Sequence, residues 1–124
     1  MIARLEKVTL YVESQEAAKR FWTEKLGFVV ALEQPMGPKL TWVEVAPEAG
    51  AGHTTLVLYP KQAMLQQNPS MVAHPSLMFS TADVDGLHAS LKSAGVEVDE
   101  VQSMPWGKMF NFKDPDGNRF MVRG

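Results

Sequence analysis

Polar and apolar residues alternate through residues 3–12, and the segment closes on Thr9-Leu10-Tyr11-Val12, rich in β-branched and aromatic side chains. This predicts a first strand. At Ser14 the period changes: Ala18, Phe21, Trp22 and Leu26 recur at helical spacing, with Ser14 as the N-cap and Gly27 as the stop. Strands are then expected over residues 28–33, 39–46 and 53–59, separated by Gln34-Pro35-Met36-Gly37-Pro38 and Pro47-Glu48-Ala49-Gly50-Ala51-Gly52. Residues 60–70, with Gln62, Gln66, Gln67 and Asn68, read as a polar linker with about one helical turn.

The order then repeats. Residues 74–81 predict a strand, and Asp83 caps a helix whose apolar stripe is Val84, Leu87, Leu91 and Ala94, stopped by Gly95. Strands follow over 96–102, 108–113 and 118–123, the last two joined by the tight turn Asp114-Pro115-Asp116-Gly117. Asn118 is expected to tolerate an unusual backbone angle there. The same sixteen-residue step separates Tyr11 from Gly27 and Phe79 from Gly95. The pattern is a duplicated module: residues 1–60 as the first βαβββ unit, 61–72 as linker and 73–124 as the second, within one α+β domain.

Composition excludes several classes. The 124 residues are 45% hydrophobic and 21% charged, ordinary for a folded domain. A formal charge of −2 offers no basic surplus for nucleic acid. The absence of cysteine removes disulfides, thiol catalysis and thiolate metal sites. The opening residues carry charges where a secretory signal needs an apolar run, and the longest apolar stretch, residues 26–32, is too short for a membrane span. A soluble cytoplasmic protein without nucleic-acid or membrane partners is expected. There is no Gly-rich phosphate loop and no Ser-His-Asp order.

Three segments carry a resemblance: Val8-Thr9-Leu10-Tyr11-Val12; Ala17-Ala18-Lys19-Arg20-Phe21-Trp22 running to Leu26-Gly27-Phe28; and Phe112-Lys113-Asp114-Pro115-Asp116-Gly117-Asn118. With the doubled βαβββ order, the chain resembles the vicinal oxygen chelate superfamily of glyoxalases, extradiol dioxygenases, fosfomycin-resistance enzymes and bleomycin-resistance proteins. The resemblance implies a cup-shaped, mostly antiparallel mixed sheet, and a homodimer. Alternation then assigns faces. Lys7, Thr9, Tyr11, Thr55, Val57, Tyr59, Ser76, Met78, Ser80, Met121 and Arg123 would face the cup; Leu10, Val12, Leu56, Leu58, Leu77, Phe79, Phe120 and Val122 would pack beneath it.

Metalloenzymes of the superfamily use two histidines and one or two glutamates to hold a divalent ion. Carried over by position, these fall on Lys7, Ser76, Val57 and Met121. Val and Met offer no hard donor, and a lysine ammonium offers no lone pair. No metal and no cofactor are therefore expected, although His53, His74 and Glu44 remain available for an atypical site. Trp22 is read as core or dimer contact. Trp42 serves either packing or stacking, and Phe110 with Phe112 lines either the cup or the core.

The ligand-binding set is Lys7, Thr9, Trp42, Glu44, Val57, Tyr59, Ser76, Phe110 and Met121, holding a small, partly aromatic molecule. Lys7 is expected to pair with Glu44 or to stay wet for a ligand. Two alternatives stand beside this: a divalent-metal-dependent lyase, isomerase or dioxygenase with atypical ligands, and a partner module whose cup is filled by its own side chains.

Overall fold

β1 (Lys7–Val12) runs parallel to β4 (Thr55–Pro60), and β3 (Thr41–Ala46) and β2 (Val29–Pro35) extend the sheet antiparallel in the order β1-β4-β3-β2. This computed structural model describes all residues, Met1–Gly124, which divide into two compact units, Met1–His74 and Pro75–Gly124. The second unit repeats the topology: β5 (Met78–Ser80), β8 (Arg119–Arg123), β7 (Gly107–Lys113) and β6 (Gln102–Met104) lie in the order β5-β8-β7-β6, with β5 parallel to β8. Each unit therefore carries its own open, mixed, four-stranded sheet.

In the first unit, Ser14 Oγ accepts from Ala17 N at 3.1 Å and starts α1 (Gln15–Arg20). The helix expected to continue regularly to Leu26 instead widens into a π-helical turn over Phe21–Lys25, with Leu26 N bonded to Phe21 O at 3.3 Å. The wider turn lets two consecutive large residues, Phe21 and Trp22, both bury. Trp22 packs edge-on against Phe21 and lies 5.0 Å from the Phe28 ring, so it is core. Gly27, at φ 75°, reverses the chain into β2, a conformation other residues resist. Gln15 Nε2 donates to the carbonyls of Thr41 and Leu58, each at 2.8 Å, fastening α1 to β3 and β4. Leu10, Val12, Val43, Val45, Leu56 and Leu58 are buried.

The residues expected to be a linker contain α2 (Lys61–Gln67), which packs on β1 and β4, and a short 3₁₀ turn, Pro69–Met71. β1 begins at Lys7, so the strand expected from residue 3 is shorter by four residues.

In the second unit, Asp83 Oδ1 accepts from Gly86 N at 3.0 Å and caps α3 (Val84–Ser93). Phe79, Phe112 and Phe120 stack beneath the sheet with centroids 5.3–6.3 Å apart. Phe110 pairs in register with Val122, is 1% exposed, and meets the His88 ring of α3 edge-on at 5.1 Å. The structure thus places Phe110, with Phe112, in the core rather than on the ligand-facing side.

The strand expected over residues 96–102 is broken. Val98 makes a lone bridge to Phe112, and the ladder resumes one residue out of register where Gln102 meets Met109. The extra residue is a β-bulge, and β2 carries one too, between Val30 and Leu32. Both bulged strands are sheet edges, where such breaks hinder pairing with another chain.

The turn after β7 is built on Asp114. Its Oδ1 accepts from Asp116 N and Asn118 N at 3.0 and 2.8 Å, and its Oδ2 from Asn118 Nδ2 at 3.1 Å. The positive φ falls on Gly117, at 81°, and not on Asn118. No helix is long and apolar enough to cross a membrane.

Candidate functional site

Cross-strand register assembles one face of the first sheet. Lys7 sits opposite Thr55, Thr9 opposite Val57, Tyr11 opposite Tyr59, and Val57 opposite Glu44. Side chains paired this way share a face, and Trp42, two residues before Glu44, joins them. Val57 and Tyr59 are buried, while Lys7, Thr9, Tyr11 and Trp42 keep contact with solvent.

Glu44 is the centre of this face. Only 4% exposed, its carboxylate accepts three hydrogen bonds: Lys7 Nζ and Thr55 Oγ1 on Oε1, both at 2.9 Å, and Trp42 Nε1 on Oε2 at 2.7 Å. A buried carboxylate without such donors would hold its proton. Here burial pushes the carboxyl upward, but the bonds from Lys7, Trp42 and Thr55 outweigh it and hold the pKa below its ordinary value. Lys7 keeps more than a third of its side chain exposed. It both pairs with Glu44 and faces solvent, joining the two expectations for it. An ammonium carries three donors, and Glu44 takes one.

Beside this ionic centre lies an aromatic group. Tyr59 meets Tyr11 and Trp42 edge-on, at 6.1 and 6.2 Å between centroids, and its hydroxyl accepts from Gln67 Nε2 of α2 at 2.8 Å. Thr55 and Gln67 belong to the arrangement although neither stands in the sequence-derived binding set. Thr55 was legible as a cup-facing residue from its alternation with Val57 and Tyr59; Gln67 carried no signal.

The superfamily's divalent ion does not fit these residues. Lys7 offers an ammonium with no lone pair, and Val57, opposite Glu44, offers only carbon. His53 lies 3.2 Å from Glu48 in the loop before β4, and His88 bonds to the Asp99 carbonyl at 2.8 Å. No group of three or more His, Asp or Glu side chains stands ready to hold a metal.

The second sheet has a corresponding face. Asn111, Met121 and Met78 stand side by side across β7, β8 and β5, and Arg119 lies two residues before Met121. With Ser76 they line a depression of about 440 Å³. Ser76 and Met121 belong to the sequence-derived set; Asn111 and Arg119 were missed. Farther along β8, Arg123 lies over the Trp106 ring, 4.6 Å from its centroid.

Residues 4–122 match the Glyoxalase/Bleomycin resistance protein/Dioxygenase superfamily. The chain belongs to this superfamily. It is 44% identical to the uncharacterized protein YetH of Bacillus subtilis (strain 168) over 124 residues, 99% of each chain. Among solved structures it is similar to TnmS3, an antibiotic binding protein from Streptomyces sp. CB03234, at 35% identity and a TM-score of 0.81, covering 98% of this chain and 95% of that one. A glyoxalase/bleomycin resistance protein from the same Streptomyces strain matches at 34% identity and a TM-score of 0.77, covering 98% and 100%.

Proposed function

We propose that this chain is a metal-free, small-molecule-binding member of the superfamily, acting as a cytoplasmic homodimer and holding a partly aromatic ligand. The observation that carries the reading is the 2.9 Å bond from Lys7 Nζ to Glu44 Oε1. It neutralises the buried carboxylate with a side chain, so no cation is needed there. The ammonium stays partly exposed and shares the Glu44 carboxylate with Trp42, while Trp42 and Tyr11 flank Tyr59, where flat rings pack well. A ligand ring lies against these aromatics and offers an oxygen acceptor to Lys7, with Thr9 at the margin and Val57 and Tyr59 as floor. The antibiotic-binding name of TnmS3 supports the same class of activity.

The test is a fluorescence titration of the purified protein against naphthols and hydroxybenzoates, repeated on Trp42→Phe. Saturable quenching that weakens at least tenfold on Lys7→Met supports the reading. A divalent ion bound one per chain, restoring lyase, isomerase or dioxygenase turnover after chelation, overturns it.

A further inference from the structure

The depression on the second sheet has a different chemistry from the Lys7 face. Its walls include two thioethers, Met78 and Met121, which are cross-strand neighbours. Methionine adapts to irregular shapes and favours contact with aromatic rings. At about 440 Å³ the space accepts a bicyclic ring system. Its polar members are Ser76, Asn111 and Arg119.

Two of these donors already converge on a carboxylate. Arg119 Nη1 donates to Asp99 Oδ2 at 2.7 Å, and Asn111 Nδ2 approaches the same oxygen at a long 3.4 Å. Asp99 stands in the bulged segment before β6, held by its backbone N–H to Asn111 O at 2.9 Å. Both charged side chains are about half exposed, so this pair is held loosely in water. The chain thus displays, at the edge of an apolar depression, donors set for a planar carboxylate and a weakly held internal one to compete with. The cation Arg119 also argues against a soft metal on the thioethers.

We propose that this depression binds an aromatic carboxylate, with the ring on Met78 and Met121 and the carboxylate on Arg119 and Asn111, and that Asp99 acts as a built-in competitor. The inference rests on the small-molecule-binding reading only in the kind of ligand. It uses none of the residues of the Lys7 face.

The probes are 2-naphthoate and its neutral counterpart 2-naphthamide, titrated into protein carrying ¹³C-labelled methionine methyls. Met78→Leu and Met121→Leu assign the two resonances. Naphthoate is expected to shift both methyls by ring currents and to bind at least tenfold more tightly than naphthamide. Arg119→Gln levels the two affinities, and Arg119→Lys keeps part of the preference. Asp99→Asn, which removes the competitor, tightens naphthoate severalfold and leaves naphthamide unchanged. That last readout does not move if Arg119 is merely structural. Unmoved methyls, equal affinities in the wild type, or a preference that survives Arg119→Gln overturns the proposal. Methyl shifts without any response at Trp42 sink the earlier reading alone.

Discussion

Lys7 Nζ on β1 reaches past β4 to lie 2.9 Å from Glu44 Oε1 on β3, and the two side chains differ sharply in exposure, 39% against 5%. The pair is therefore unequal to cut from its two ends. Lys7→Met leaves a buried carboxylate with only Thr55 and Trp42, and is expected to cost about 2 kcal/mol. Glu44→Gln leaves a lysine that water can solvate, and costs about 1 kcal/mol. Urea unfolding of both variants and the double mutant should show a coupling of about 1 kcal/mol; strictly additive losses would mean that the pair contributes nothing.

Trp42→Phe keeps a ring at its position but removes the N–H that reaches Glu44 Oε2 at 2.7 Å. A loss of about 1–2 kcal/mol is expected, as for a hydrogen bond to a charged group. Made in the Glu44→Gln background, the same change should cost less than half as much. Equal costs in the two backgrounds would assign the effect to ring packing.

Acid should reveal Glu44. Its carboxyl titrates lower in the folded chain than in the unfolded one, so its contribution is present above the unfolded value, about 4.3, and is lost as the pH falls through the folded value. Melting temperature is expected to decline on this limb less steeply in Glu44→Gln than in the wild type. Superimposable limbs would show that the carboxylate gains nothing on folding.

Asp114 has the opposite sign. Burial raises its carboxyl against the hydrogen bonds from Asn118 and Asp116, with Asp116's charge also raising it. A raised folded value gives a contribution present at low pH and lost as the pH rises through that value. Asp114→Asn retains an oxygen acceptor and removes this opposing trend, so its melting temperature should fall more steeply in acid than that of the wild type. Asp114→Ala leaves the Asp116 and Asn118 amides without their acceptor and is expected to cost about 2 kcal/mol. A change below half a kcal/mol in urea unfolding would contradict that role.

The duplicated order was legible because both modules keep the same markers: a capping Ser14 or Asp83, and a stop at Gly27 or Gly95. Faces were legible wherever polar and apolar residues alternate, as in Lys7-Val8-Thr9-Leu10, which is how the Lys7 and Glu44 partnership came within reach. Phe110 escaped because β7 carries Met109, Phe110, Asn111 and Phe112, and both faces of that strand hold apolar groups. Only pairing with Val122 and Phe120 separates them. The π-helical turn at Phe21 and the bulge before β6 were not legible, since each adds one residue without changing composition. Arg119 and Asp99 are brought together by that bulged segment, so their partnership was hidden with it.

β8 comes last along the chain yet lies between β5 and β7. β5 therefore has no sheet neighbour until residues 119–123 arrive, roughly forty residues later. The first unit has all four of its strands by Pro60. A chain emerging in sequence order can assemble its Lys7–Glu44 sheet while the second unit still lacks its central strand. During synthesis the two halves differ in timing although they share one topology, and the methionine-walled depression cannot form before β8 has emerged.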